Sequence, residues 1–177
     1  TGKANIGKGG ELIFHVGKGN EENGGNIALQ SGETTSLAEA GGNVFISGGL
    51  GAHEDRENGG NGGSIFINGG ESMGMDKNHD KGGDVVFSGG SSRSGTGGKL
   101  RFISGFGQAS STGSLLFESS NAGNAGVSGS ITITTGMSSQ GPSGGIAIHT
   151  GNSKDGKAGL ISLSIGTGSA NEGGGIK

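Results

Sequence analysis

Cysteine, tryptophan and tyrosine are absent from this chain, and proline occurs once, at Pro142. Without cysteine no disulfide staples the fold, although secretion is not thereby excluded. No run approaches the ~18 apolar residues of a membrane-crossing helix, so no membrane span is expected, and Thr1 opens no signal-like apolar stretch. The only aromatic residues are seven phenylalanines, the net charge is −3, and no basic stripe is present. That balance argues against nucleic acid as a partner. Glycine does not recur at every third residue, which excludes a collagen triple helix.

What the chain has is glycine, 46 of its 177 residues, with only 28% apolar residues. Low hydrophobicity with abundant Gly, Ser and Asn is the composition of a disordered chain. Against that stands the placement of the apolar residues, which is periodic. In the stretch 128–136, SGSITITTG, Ile131 and Ile133 alternate with Thr132 and Thr134, as in a strand with two distinct faces. The β-branched residues suit a pleated surface, and Gly129 and Gly136 mark the turns.

The same block recurs. Copies begin at Gly9, Gly24, Gly41, Gly62, Gly82, Gly97, Thr112, Ser128, Ser143, Ala158 and Gly173, at intervals of 15 to 21 residues and most often 15. Each unit is a nine-residue block, roughly GGxIxIxSG, followed by a variable linker. The second position is Gly in every copy. The fourth carries Leu12, Ile27, Val44, Ile65, Val85, Leu100, Leu115, Ile131, Ile146, Ile161 and Ile176. The sixth carries Phe14, Leu29, Ile46, Ile67, Phe87, Phe102, Phe117, Ile133, Ile148 and Leu163. These two columns, through Leu163, are the expected structural core. Positions five and seven face the other way and are mixed, with Phe45, Phe66 and Val86 forming an apolar group early in the chain.

This pattern predicts an all-β fold: a repetitive parallel β-solenoid of ~15-residue repeats, with the antiparallel β-sandwich as the alternative. Two facing sheets, with two repeats per turn, bury four apolar side chains per turn where one repeat per turn buries two. At ~1.5–3 kcal/mol per buried side chain, the two-sheet form is the better one. Residues 1–177 read as a single repeat domain with long loops at 50–61 and 71–81 and a helical turn in 34–40. Thr1-Gly2 matches positions eight and nine, and the last copy, from Gly173, stops at position five. Such open strand ends predict either an excerpt of a longer chain or head-to-tail joining of copies.

No catalytic constellation emerges. His15, His53, His79 and His149 sit in separate repeats, and the sheet face lacks the carboxylate cluster that glycosidic chemistry requires. Residues 151–157, GNSKDGK, have phosphate-loop spacing, but Ala158 stands where the loop needs Ser or Thr and no helix-forming segment follows. Thr132 and Thr134 have no ladder partners for ice binding, and Ser64 occupies the position where a calcium β-roll requires Asp. The long loops gather His53, Glu54, Asp55, Asp76, His79 and Asp80, the candidate metal ligands should the loops stack. Solvated acidic loops are the simpler reading, and neither a cofactor nor an enzymatic activity is expected. Asn-Gly pairs such as Asn58-Gly59 mark turns. The chain has no N-glycosylation sequon, while its Ser/Thr-rich linkers suit O-glycans.

Runs such as SGSITITTGMSSQGPSGGIAIHTG and AGLISLSIGTGSANEGGG resemble the Gly/Ser-rich secreted repeat proteins of diatoms and other stramenopile algae. More distantly, the chain is similar to bacterial filamentous-adhesin β-solenoids. The first resemblance implies an extracellular or cell-surface location, and neither implies a catalytic residue. Together with the repeat they lead to the expectation of a structural protein, the protomer of an extracellular filament or surface fibre whose partner is itself, head to tail. The alternative is an adhesin whose long acidic loops contact a glycan, a cation or a protein.

Overall fold

The structure is a computed structural model that describes residues 7–168 and 174–176. The expectations attached to Thr1, Gly2 and Gly173 lie outside the described residues. Among the described residues there is no helix and no β-strand. The all-β expectation, solenoid and sandwich alike, is therefore corrected: the chain is mostly coil. The beta-solenoid description falls with it, as does the helical turn in 34–40. That segment instead holds a bend and turn at 36–38, where the Ser36 amide donates to Thr34 Oγ1 at 3.1 Å. Ala38 there adopts a left-handed φ of 60°.

The repeat itself survives in local conformation. Every turn and bend among residues 18–168 lies in a linker, and none falls inside a nine-residue block. Successive blocks meet at one recurrent junction, where the Gly at position two approaches positions eight and nine of the block before it. The position-two amide donates to the position-nine carbonyl at Gly42–Gly32 (2.9 Å), Gly63–Gly49 (2.9 Å), Gly83–Gly70 (2.8 Å), Gly98–Gly90 (2.8 Å) and Gly113–Gly105 (3.0 Å). Among the described residues no succession of backbone hydrogen bonds between blocks extends that bond into a ladder. A β-ladder needs a succession of them, and this is why the extended blocks do not register as strands.

The same junction explains the glycine. A Cβ at Gly25 would stand 2.7 Å from Val16 Cγ1, and at Gly159 3.2 Å from Thr150 Cγ2. At Gly113, Gly129 and Gly144 the facing side chains are Ser104, Ser119 and Thr135, at 3.6–3.7 Å. At three junctions position eight is Gly too, and the backbones come closer still: a Cβ at Gly48, Gly69 or Gly89 would overlap the carbonyl of Gly63, Gly83 or Gly98.

The chain divides into two units, Thr1–Leu100 and Arg101–Lys177, a division that falls inside the sixth block. In neither unit is any described residue buried, and no described hydrophobic residue forms a core. Exposure nevertheless alternates as the pattern demands. From Ile27 to Ile161 the position-four side chains are 45–58% exposed, whereas Phe45, Phe66 and Val86 at position five are 88%, 84% and 78% exposed. In the second unit Phe102 and Phe117, both at position six of consecutive blocks, meet edge to face with centroids 6.1 Å apart.

The exposed area is 18302 Å² for a chain of 17.0 kDa. A compact domain of that mass exposes about 7,700 Å² and the fully unfolded chain about 24,600 Å². Two large apolar side chains per repeat do not offset the entropy of ordering some fifteen residues, a quarter of them glycine. Composition outweighs periodicity within a single copy.

Candidate functional site

The most internally organised segments of the first unit are its two long linkers, and each is built around one aspartate. In 50–61 the Asp55 carboxylate accepts the amides of Glu57 at 2.9 Å and Asn58 at 2.7 Å through Oδ1, an Asx turn over 55–58. The Asp55 amide donates to His53 Nδ1 at 3.3 Å, and the Gly60 amide donates to the His53 carbonyl at 2.9 Å, closing the tip. Below it Gly51 and Gly60 pack backbone against backbone so closely that a Cβ on either would overlap the other strand of the neck. Two amide donors on one carboxylate favour its charged form, and the Asp55 carboxyl accordingly sits below the usual carboxylate range.

In 71–81 the reciprocal pair is Asp76 and Asp80. The Asp76 amide donates to Asp80 Oδ2 at 2.7 Å, and the Asp80 amide donates to the Asp76 carbonyl at 2.9 Å. Asp76 Oδ1 accepts the Asn78 amide at 2.9 Å, and its Oδ2 lies 2.8 Å from His79 Nδ1. These bonds, the Asn78 amide first and His79 second, hold the Asp76 carboxyl below its ordinary value. Gly74 lies under the Asp80 carboxylate, with no room for a Cβ.

Of the six candidate ligands, then, Asp76, His79 and Asp80 are brought together, and His53 is brought to Asp55, while Glu54 takes no part in this hydrogen bonding. Asp80 is engaged by a backbone amide and Asp76 by an amide and an imidazole. Among the described residues no three His, Asp or Glu side chains are placed to hold a metal ion, and no pocket forms. The segment with phosphate-loop spacing bends at 154–156, with no helix after it. No helix of the described residues is long and apolar enough to cross a membrane.

The two Asx-type turns were readable in the sequence from an aspartate two or three residues ahead of Asn58 and Asn78. The Asp80 closure carries no such signature, because it depends on the Gly74 approach. No family model, curated protein or solved structure matches the chain.

Proposed function

We propose that the chain is a structural protein, the protomer of an extracellular filament or surface fibre that joins copies of itself head to tail. The observation that carries this reading is the junction. At every junction from Gly25 to Gly174 the position-two Gly stands against position eight of the preceding block, and at five of them its amide also bonds the position-nine carbonyl. A chain in which each repeat touches its neighbour through a like joint extends by adding such a joint again. The glycine-rich blocks and Ser/Thr-rich linkers suit an extracellular setting, as does the likeness to secreted algal repeat chains. The reading assigns no catalytic step and no cofactor.

Electron microscopy of the purified chain over a range of concentrations tests it. Uniform unbranched fibres with a regular axial repeat are expected, and dispersed single chains at every concentration would overturn the reading.

The hydrogen-bonded order of 50–61 and 71–81, set in an otherwise open chain, favours a second reading. In it the protein is a surface adhesin whose loop tips contact a glycan, a cation or another protein. Deleting both loops would then abolish attachment, whereas a fibre protomer keeps its assembly without them.

A further inference from the structure

Resting on the filament reading, we infer that the partner of the position-four and position-six columns is the same pair of columns on a second copy, and that the chain gains its ordered packing only on that association. The columns carry no charged or polar residue in any copy, whereas positions five and seven carry His15, Arg101, Glu118 and His149. The acidic and basic residues lie mainly in the linkers, so two column faces meet without opposing like charges.

The available area matches the task. Phe87 and Phe102 already take part in contacts, and Phe117 faces Phe102. The remaining seventeen column side chains from Leu12 to Leu163 are 45–76% exposed. At roughly 30–70 Å² of open apolar surface each, the ten of them in the first unit offer on the order of 300–700 Å² per copy. A weak, transient interface takes up to about 600 Å² from each partner.

Periodicity selects the occupant. A surface that covers these columns must present apolar pairs at the spacing of the repeat, and a second copy does so by construction. A shift by one repeat restores the match, so pairing can be staggered and continue from copy to copy. From Ile27 to Ile161 position four is less exposed than Phe45, Phe66 and Val86. A single chain does not close over its own columns, because among the described residues none is buried.

The test compares variants of the full chain: Ile131→Asp with Ile146→Asp on the columns, and Phe45→Asp with Leu116→Asp on the opposite face. Sedimentation, circular dichroism and electron microscopy are followed over a concentration series. Dilute wild-type chain is expected to be monomeric without a cooperative thermal transition, and ordered signal should rise together with association. The column pair should raise the concentration needed for assembly about tenfold or more, and the opposite pair should change it less than about threefold.

Fibres that tolerate the column variants but are lost with Phe45→Asp and Leu116→Asp would overturn the assigned face and leave the filament reading standing. So would a dilute monomer that melts cooperatively. Absence of any assembly by wild type at every concentration would instead remove the filament reading, and this inference with it.

Discussion

The Gly98 amide donates to the Gly90 carbonyl at 2.8 Å across the linker 91–96, and a Cβ on Gly98 would stand 3.1 Å from the Gly90 nitrogen. One bond and one close approach thus share a single pair of residues. At Gly63 and Gly83 the geometry is the same, with the Cβ position 3.0 Å from the Gly49 and Gly70 nitrogens. At Gly129 the facing Ser119 Cβ is 3.7 Å away. The joint is therefore tight at Gly63, Gly83 and Gly98 and roomier at Gly113, Gly129 and Gly144.

That difference predicts opposite outcomes for one substitution. Gly→Ala lowers the entropy of the unfolded chain, which stabilises by ~0.4–1 kcal/mol where the new methyl fits. Gly129→Ala and Gly144→Ala should be neutral or slightly stabilising. Gly63→Ala, Gly83→Ala and Gly98→Ala must open the joint and lose its hydrogen bond, a net cost of about 0.5–1.5 kcal/mol. Amide exchange at residues 63, 83 and 98 should then quicken roughly two- to tenfold. Equal protection in both sets would show that the joint is not sterically set.

The repeat and its punctuation were legible in the sequence, because turn chemistry is local: glycine pairs and Asx residues fix direction changes without help from distant contacts. The strands were not. The alternation of Ile131 and Ile133 with Thr132 and Thr134 specifies which side chains share a face, but a strand exists only when a neighbour supplies its hydrogen bonds, and no single repeat carries that information. The invariant Gly at position two read as a turn residue, whereas its role is to admit Val16, Ser31 or Thr150 from the preceding block. In the loops, Asp55, Asp76 and Asp80 are the acceptors that build the turns.

Acidification should open the tip of 50–61 only below the ordinary carboxylate range. The Asp55 carboxyl is held below its ordinary value by the amides of Asn58 and Glu57. The contribution of these bonds is present above the ordinary value of about 3.9 and is lost as the pH falls through the lowered one. The Glu57 and Asn58 amide resonances should shift together, with a midpoint below 3.9, in a nuclear magnetic resonance titration. Asp55→Asn retains an acceptor oxygen and should keep the turn with a flat pH response, whereas Asp55→Ala should lose both. A midpoint above the ordinary value would contradict the arrangement.

The second loop separates into two halves that should fail independently. Asp80→Ala removes the acceptor of the Asp76 amide, so exchange at residue 76 should rise while Asn78 keeps its bond to Asp76 Oδ1. Asp76→Ala does the reverse, releasing Asn78 and His79 and leaving the Asp76-to-Asp80 amide bond in place. Each lost bond in so open a setting is expected to change exchange by about two- to fivefold, the lower part of the range for a single hydrogen bond. Simultaneous release of both amides by either variant would mean that the loop is one cooperative unit.

The contact between Phe102 and Phe117 ties two consecutive blocks at position six. Edge-to-face pairs contribute about 0.5–1.5 kcal/mol beyond area burial. With both rings more than half exposed, the lower end applies. Because tyrosine and tryptophan are absent, the near-ultraviolet circular dichroism of this protein arises from phenylalanine alone. Phe117→Ala should therefore weaken that signal and erase nuclear Overhauser contacts from ring 102 to residue 117. Phe117→Leu should retain part of the packing without the ring orientation. Phe106, 85% exposed in the following linker, supplies the comparison: Phe106→Ala should leave the signal nearly unchanged. An equal loss from both alanine variants would mean that position six does not align the blocks, and that the columns are a feature of spacing alone.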